Sequence, residues 1–467
     1  MSAVSRLRAR FAADPSRPLK LVGATGQLGY GIPAASLAEA SRREPDMIGA
    51  DMGSTDIGPT FLGNGEMATS AAQTKRDLAA LLKGARSLDI PLIIGSAGSA
   101  GAGPHLDATL AMVREIAREE GLGFRLAVIR SDMPRDVVKA AVRAGRVTSL
   151  GLLEDLTEEE VDGASALVGQ AGTEAFVRAL EQDPDVIIAG RACDTGIYAC
   201  IPQLLGFPLG PVMHMAKIIE CASLCCDPGG RDPILAVLDR EGFVLESMNP
   251  DRRATPMSVA AHSLYEQADP NEIIEPEGRA NVAGAKYEAV DERRTRVAGA
   301  TWQPAAQLTV KLEGATRVGE RAVLLAGSAD PRFIVGARDL TEQVKGVVQG
   351  LVCAPGEEPD YSLTFRLYGL DAVYNWPEPP AAPPREIFVM AEVIADTMDR
   401  AMTVAKSTKQ YLLHLGFPGR LSTSGNLAFP FTPPELAAGA AYRFSAYHVM
   451  AVDDLAPLFP VAMETIG

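Results

Sequence analysis

The first 240 residues repeat one pattern, and this pattern limits the chain to one class of fold. Short apolar runs end in Gly, Asp or Ser, and a helical pattern follows each run. Runs without polar alternation are typical of strands buried on both faces. Strands that alternate with helices predict a parallel sheet with right-handed crossovers. The six runs are 19–26, 45–54, 90–101, 124–132, 185–194 and 233–239.

We therefore predict an α/β fold with a mainly parallel, doubly wound (Rossmann-like) sheet and helices on both faces. A chain of 467 residues is too long for one compact core. After about residue 300, apolar and polar residues alternate more regularly within each run, and the runs lie closer together. This pattern predicts a C-terminal α+β domain over 300–467. The α/β domain is expected over 19–299, and residues 1–18 are expected to be a flexible tail.

Within the C-terminal domain the sequence predicts two helices and two loops. The helices are expected near 339–353 and 397–415, and a proline-rich loop over 375–386. A polar, glycine-rich loop over 417–431 offers three hydrogen-bond donors, Arg420, Ser424 and Asn426.

Charge and composition exclude several classes of function. The net charge is −15, and no cluster of Lys and Arg is present, which argues against nucleic acid as a partner. No apolar run is long enough for a membrane span, and the basic N-terminus lacks the apolar core of a secretion signal. The six cysteines form no Cys-x-x-Cys pair, which favours a reduced compartment. We expect a cytoplasmic homo-oligomer that binds neither nucleic acid nor membranes.

The first glycine-rich loop follows the first apolar run and raises the question of NAD(P) binding. Gly23, Gly26 and Gly29 are evenly spaced, and Asp51 ends the next run where a ribose-binding acid would lie. However, no tyrosine is followed four residues later by the lysine of the extended short-chain dehydrogenases, which this loop resembles. Pro33 also interrupts the position where their first helix would run. We expect no required cofactor, with NAD(P) as the alternative.

The second glycine-rich loop, Gly95 to Asp107, precedes a helix that is predicted to begin near Pro104. Glycines expose backbone N–H groups, and a helix N-terminus favours negative charge. We predict that the N–H groups of this loop converge on a carboxylate or phosphate; the alternative is a long flexible turn. The loop residues assigned to this site are Gly95, Ser96, Gly98, Ser99 and Gly101.

The third candidate element is Arg191–Thr195, at the end of a buried strand. Arg191 suits bidentate binding of a carboxylate, and Asp194 could give or take a proton. Cys193 and Thr195 lie beside them. Burial of the charged pair is costly unless it is satisfied, so Arg191 and Asp194 form either a structural ion pair or part of a site. We favour the site, with Thr25 and Asp51 at the same edge of the sheet.

The fourth candidate element is the helical segment His214–Cys226. His214, Lys217 and Glu220 recur at helical spacing and could transfer protons near the crevice; alternatively, they form a solvated face. Cys221, Cys225 and Cys226 could bind a metal, but neighbouring cysteines on a helix point in different directions. We therefore favour apolar filler and predict no metal site.

Three segments together resemble the acyclic terpene utilisation (AtuA-like) family over roughly residues 20–345. They are "IAGRACDTGIYACIPQLLGF", "AKIIECASLCCDPGG" and the segment that contains "RATPMSVAAHSLYEQ". The positions that match the family pattern are Gly190, Arg191, Asp194, Glu220, Cys221, Thr255, Pro256, Leu264, Tyr265 and Glu266. The chain departs from the pattern at Gly95–Ser99, where members carry Ser-Asn-Ala-Gly-Gly, and at Ala222, where the terpene branch carries Gly.

The resemblance implies a divergent branch that takes part in the catabolism of small organic acids or their CoA esters, with lyase-type chemistry. In this hypothesis Arg191 and the 95–103 loop bind an anionic substrate, and Asp194 moves a proton with Glu220 or His214. An NAD(P)-dependent dehydrogenase that uses the 23–29 loop is the second hypothesis, which cofactor fluorescence would test. A non-catalytic subunit of a larger catabolic enzyme is the third, and co-purification of a partner would favour it.

Overall fold

The computed structural model describes residues 1–374, 382–421 and 425–467, which form two compact units. Unit 1 comprises Met1–Thr316 and Phe444–Gly467, and unit 2 comprises Arg317–Arg443. The sequence places the boundary between residues 299 and 300 and does not predict the return of the chain to unit 1. Composition does not reveal this boundary, because one strand continues without a break across Thr316.

The helices and strands have the following bounds. Strands β1–β9 are Leu19–Gly23, Met47–Asp51, Leu92–Gly95, Phe124–Ile129, Val147–Ser149, Ala166–Gly169, Val186–Ala189, Ile234–Leu238 and Gly242–Ser247. Strands β10–β19 are Glu272–Glu275, Gly278–Asn281, Lys286–Ala289, Arg294–Ala298, Thr301–Pro304, Leu308–Ser328, Tyr361–Tyr368, Ile387–Ala395, Glu435–Val452 and Val461–Ile466. Helices α1–α13 are Ala3–Ala13, Ala34–Arg42, Pro59–Asn64, Ala71–Leu88, Gly103–Glu120, Arg135–Arg143, Glu158–Gly163, Thr173–Leu180, Asp194–Leu204, Leu209–Ile219, Pro256–Ser263, Pro331–Val352 and Met398–His414. Short 3₁₀ turns lie at Ala222–Cys225 and Ala456–Leu458.

The largest sheet of unit 1 contains a parallel core of five strands in the order β1, β2, β3, β7, β4. The register runs from Val22 through Ile48, Leu92 and Val186 to Leu126. These strands are almost fully buried, because helices cover both faces: α2, α4 and α5 pack on one face, and α1, α8, α9 and α10 on the other. The predicted parallel strands and two-sided helical cover are therefore present.

The sheet as a whole is mixed, which corrects the prediction of a mainly parallel sheet. The sixth predicted strand, β8, runs antiparallel to β1, and β9, β13 and β12 extend that side. At the other edge β19 pairs antiparallel with β4. The short hairpin between β8 and β9 needs no crossover helix, so this side of the sheet is antiparallel.

Two smaller strand sets complete unit 1. Strands β10, β11 and β14 form an antiparallel sheet. The first part of β15 pairs with β6, and the last part of β18 pairs with β5. The short strands β5 and β6 were not among the six predicted ones.

The first 18 residues contain helix α1 where the sequence predicts a flexible tail. Ser2 caps the helix, and Val4, Leu7 and Phe11 are buried against the core. The backbone N–H of Ala3 donates to Asp185 Oδ1 at 2.7 Å. The apolar spacing at positions 4, 7 and 11 fits one helical face and is the signal that predicts this helix.

Replacing Leu7 with Ala should lower the free energy of unfolding by about 2–4 kcal/mol, because the leucine is 1% exposed and its removal leaves a cavity. The matched control is Leu152→Ala at a fully exposed leucine, which should change stability by less than about 0.5 kcal/mol. Urea unfolding of both variants measures the difference, and equal stability would show that α1 is not docked in solution.

Unit 2 is an antiparallel sheet with two helices, which fits the predicted α+β class. Its strands are β16, β17, the later part of β15 and the first part of β18. Helices α12 and α13 pack on this sheet through residues such as Phe333, Val344 and Leu412. Both lie where helices are predicted, although α12 begins eight residues earlier, at Pro331. Residues 375–381 of the predicted proline-rich loop lie outside the described residues.

Candidate functional site

A cavity of about 520 Å³ opens within unit 1 beyond the carboxyl end of β7. This position agrees with the general location of ligand sites in open parallel sheets. The side chains that line it are mostly polar or charged. They are Ser54, Asp56, Gln170, Arg191, Ala192, Cys193, Asp194, Thr195, Lys217, Glu220, Glu266, Gln267, Ile273, Ile274, Glu275, Lys311 and Tyr447.

The cavity brings together only part of the predicted site. Five of the predicted residues line it: Arg191, Cys193, Asp194, Thr195 and Glu220. The other predicted residues are not among its lining: His214, Thr25, Asp51, Gly95, Ser96, Gly98, Ser99 and Gly101.

Arg191 forms a buried ion pair with Glu313 on β15, not with Asp194. Its Nε donates to Glu313 Oε2 at 2.7 Å and its Nη2 to Oε1 at 3.3 Å. Nη1 donates to Ser96 Oγ at 3.1 Å. All three guanidinium nitrogens thus donate to protein groups. The prediction that Arg191 binds a substrate carboxylate in a bidentate manner does not fit this geometry.

Glu313 is the centre of a polar network that sequence analysis misses. The carboxylate is fully buried, and it accepts hydrogen bonds from Gln170 at 3.1 Å as well as from Arg191. Lys311 Nζ lies 3.1 Å from Glu313 Oε1. Burial alone would raise the pKa of Glu313, but the two cations lower it to about 2. Glu313 is therefore a carboxylate at every ordinary pH and holds Arg191 in place.

Asp194 is the carboxyl group that the structure leaves free for a ligand. It is the first residue of α9, and in the described parts of the chain its side chain makes no hydrogen bond or ion pair. Burial raises the pKa of Asp194, while Arg191 and Lys217 oppose the rise. A half-buried, unpaired carboxyl group on a cavity wall is able to exchange a proton with a bound molecule.

Lys217 and Glu220 form an ion pair on the cavity wall at the end of α10. Lys217 Nζ lies 2.5 Å from Glu220 Oε1 and 3.8 Å from Glu266 Oε2. Burial raises the pKa of the Glu220 carboxyl well above its usual range, although Lys217 opposes this. Burial would lower the pKa of Lys217, but Glu220 and the other nearby acids raise it above its ordinary value. The predicted solvated face is absent at these two residues, since both are buried.

Glu275, at the end of β10, is a second functional candidate that sequence analysis misses. Its Oε1 accepts a hydrogen bond of 2.5 Å from Thr195, and its Oε2 is buried without a partner among the described residues. Burial raises the pKa of Glu275 to about 7. The signal in the sequence is the charged stretch "IIEPEG", in which an apolar strand ends on an acid.

Cys193 lines the cavity but lacks the features of a nucleophile. Its Sγ lies 3.8 Å from Gln170 Oε1, and burial raises the pKa of the thiol well above its usual range. A reactive cysteine requires a thiolate, which this environment disfavours.

His214 lies in a separate buried cluster, so its predicted role in proton transfer at the cavity is wrong in position. Its Nε2 is 2.8 Å from Ser263 Oγ and 3.2 Å from the Tyr287 hydroxyl. Burial lowers the pKa of His214 to about 4. His214 and Lys217 share α10, but only Lys217 contacts the cavity.

The 95–103 loop does not present its N–H groups to an anion, contrary to the prediction. The N–H groups of Ser96 and Ala97 donate to the carbonyls of Gly190 and Ala189, both at 3.0 Å. Gly103 N–H donates to Asp132 Oδ1 at 2.9 Å. The loop does lie beside Arg191, as expected, but it supports the end of β7 and makes no anion cradle.

The 23–29 loop is also explained by internal packing. A Cβ atom at Gly23 would lie 2.4 Å from the carbonyl oxygen of Ile219, and one at Gly26 would lie 2.8 Å from that of Glu220. Gly29 N–H donates to Asp77 Oδ2 at 3.0 Å. Thr25 Oγ1 accepts from the N–H of Gln27 within the loop. The glycines allow the loop to contact the end of α10, so they need no dinucleotide to account for them.

Asp51 is the last residue of β2 and does not line the cavity. Its Oδ2 accepts from Gly53 N–H at 2.8 Å, and its Oδ1 is buried without a partner in the described chain. Burial and then the charge of Asp194 raise the pKa of Asp51 well above its usual range. The Tyr198 hydroxyl is likewise buried without a partner among the described residues.

Other predicted donors lie in unit 2. Arg420 donates to Asn426 Oδ1 at 2.6 Å, and Ser424 lies outside the described residues. Where positions are described, no group of three or more His, Cys, Asp or Glu side chains could hold a metal ion. The helices that the structure describes include none that is long and apolar enough to cross a membrane.

Comparison with known proteins gives one match. Residues 24–230 and 232–430 match the sequence model described as "Acyclic terpene utilisation family protein AtuA". The resemblance predicted from the sequence is confirmed, and the match extends beyond the predicted limit near residue 345. No curated protein and no solved structure matches the chain.

Proposed function

The chain belongs to the acyclic terpene utilisation family, and from this premise we propose that it is a catabolic enzyme that moves a proton on a small carboxylate or its CoA thioester. The reaction is an elimination or addition of the lyase type. The observation that carries the proposal is the unpaired carboxyl group of Asp194 on the wall of a polar cavity that the cations Arg191 and Lys217 also line.

The cavity favours a small substrate with little negative charge of its own. Its volume of about 520 Å³ lies within the range of small-molecule sites. Five carboxyl groups and three cationic side chains line it. Burial raises the pKa of Glu275 to about 7, and Lys217 balances the charge of Glu220, so these two of the five acids add little negative charge. This balance supports a monocarboxylate, or the acyl group of a thioester whose charged CoA part stays outside the cavity, better than an acyl group with several negative charges.

Lys217 supplies the electrostatic part of the mechanism. Removal of a proton next to a carbonyl places negative charge on the carbonyl oxygen, and a nearby ammonium group stabilises that charge. Lys217 remains protonated, since its acidic neighbours raise its pKa. In this proposal Asp194 takes the proton from carbon, and Lys217 binds the oxygen that becomes negative.

Asp194→Asn should abolish exchange of substrate α-protons with solvent while leaving ligand affinity within a few-fold. We expect a loss of roughly 100-fold or more, the ordinary contribution of a general base. The assay is ¹H NMR in D₂O with crotonate, 3-hydroxybutyrate, malate, fumarate and the CoA thioesters of the first two. Calorimetric titration of any reacting compound measures binding in the same variant.

The matched control is Asp136→Asn, the same substitution in the first turn of α6, where the side chain is fully exposed. This control should exchange protons at the wild-type rate. Normal exchange in the Asp194 variant, or no reaction and no binding by the wild-type protein across the panel, would contradict the proposed function.

A further inference from the structure

We propose that Glu275 is a second catalytic residue, the proton donor that acts together with Asp194. The proposal rests on the proposed function and deepens it, because it assigns the group that releases the leaving hydroxyl. In the elimination Asp194 takes the proton from carbon, the electron pair of the C–H bond forms the C=C bond, and the C–O bond breaks. Glu275 gives its proton to the departing oxygen, which leaves as water, and solvent exchange restores both carboxyl groups.

The hydrogen bonds of Glu275 fix which oxygen can hold the proton. Thr195 Oγ1 donates to Oε1 at 2.5 Å, so Oε1 acts as an acceptor. Oε2 is buried and has no partner among the residues that the structure describes. A proton on Oε2 therefore has no protein acceptor among the described residues, and Glu275 is one of the residues that line the cavity.

Thr195 also links the two carboxyl groups in space. It follows Asp194 directly in the first turn of α9, and its hydroxyl reaches β10 from there. Asp194 and Glu275 therefore both lie on the wall of one cavity although they are 81 positions apart in sequence. Two carboxyl groups on one small cavity allow one to accept a proton while the other donates one.

The surroundings of Glu275 favour its protonated form near neutral pH. Burial raises the pKa of Glu275 to about 7, and Glu277 beyond β10 adds to the rise. Thr195 and Cys193 at the start of α9, and Lys217 on α10, act in the opposite direction. Glu220, next to Lys217, also senses the charge of Glu275.

Glu277 provides a way to tune Glu275 without altering the cavity. Its Oε1 accepts from the N–H of Glu174 at 2.8 Å, and it does not line the cavity. A glutamine at position 277 can accept the same hydrogen bond but carries no charge. Since the charge of Glu277 raises the pKa of Glu275, its removal should lower that pKa.

The test is the rate of water elimination against pH, with 3-hydroxybutyrate, its CoA thioester and malate as probes. If Glu275 must be protonated, the wild-type rate falls as the pH rises through about 7. Glu275→Gln should retain probe binding but lose roughly 100-fold in rate, and the remaining rate should lack this fall. Glu277→Gln should keep the maximal rate but show the fall at lower pH. A melting temperature for each variant shows that it is folded.

The outcomes separate the two proposals. Elimination that requires Asp194 but is unchanged in Glu275→Gln would overturn the role of Glu275 and leave the proposed function standing. An unmoved pH profile in Glu277→Gln would also overturn it, even if Glu275→Gln fails to fold. Absence of any reaction in the wild-type protein would overturn the proposed function, and the role of Glu275 with it.

Discussion

Glu313→Gln will lower the free energy of unfolding by about 3–5 kcal/mol, because it leaves the buried guanidinium of Arg191 without its counter-charge. Glu313 is fully buried and Arg191 is 3% exposed. Bulk water cannot replace the lost carboxylate around Arg191. Urea unfolding at neutral pH measures the effect.

An exposed pair of the same geometry is the matched control. Arg114 binds Glu464 through two hydrogen bonds of 2.9 and 2.7 Å, but both side chains are at least one-third exposed. Glu464→Gln should therefore cost less than about 1 kcal/mol. Equal losses in the two variants would show that burial does not govern the strength of the Arg191–Glu313 pair.

The ion pair between Arg191 and Glu313 also makes the free energy of unfolding depend on pH. The pKa of Glu313 falls from an ordinary 4.5 to about 2 in the folded protein. A lowered carboxyl pKa stabilises the fold fully above the unfolded value and loses that effect as the pH falls through the folded value. The stability difference between the wild-type protein and Glu313→Gln should therefore shrink from about pH 4.5 down to about 2. A difference that grows in this range would contradict the ion pair.

Gly101→Ala will prevent folding or cost on the order of 4–5 kcal/mol, a loss at the upper end for single substitutions. A Cβ atom at this position would lie 2.1 Å from the backbone nitrogen of Arg191 and 2.5 Å from its Cα. These are backbone atoms just after β7, and they cannot relieve the clash by a change of rotamer as a side chain could. The φ angle of +67° adds a smaller penalty for any residue other than glycine.

Gly121→Ala separates the close contact from the backbone angle. Gly121 has a φ of +63°, but among the described residues no atom outside its chain neighbours lies within 4 Å of its Cβ position. This variant should lose about 1–2 kcal/mol. Thermal unfolding compares the two variants, and a similar loss in both would mean that the contact between Gly101 and Arg191 is not tight in solution.

The parts of the fold that were predicted correctly depend on neighbours in sequence. Apolar runs such as "DVIIAG" mark buried strands by themselves, and the residue that follows a strand lies at the sheet edge whichever strands adjoin it. Asp194 could be placed at the ligand edge for this reason. The direction of β8 could not, because the same apolar run fits a parallel or an antiparallel neighbour.

The parts of the site that were missed depend on contacts between distant residues. Arg191 and Glu313 are 122 residues apart, and nothing near Arg191 in sequence shows that its partner is Glu313 instead of Asp194. Glu275 approaches Thr195 only because a separate small sheet packs on α10, the helix next to α9. The glycines of the 95–103 loop were assigned to an anion because the sequence does not distinguish exposed N–H groups from a close approach of two backbones, which is what Gly101 makes.

Because unit 2 is inserted within the sequence of unit 1, the ribosome completes unit 2 before it synthesises the last strand of unit 1. Strand β4 has its outer edge covered by β19, which lies after the whole of unit 2 in sequence. Until β19 emerges, the nascent chain exposes an apolar strand edge, a surface that invites pairing with other chains. At about 5–20 residues per second, unit 2 prolongs this exposure by on the order of ten seconds. We therefore expect the folding of this protein during translation to depend on chaperones that shield strand edges.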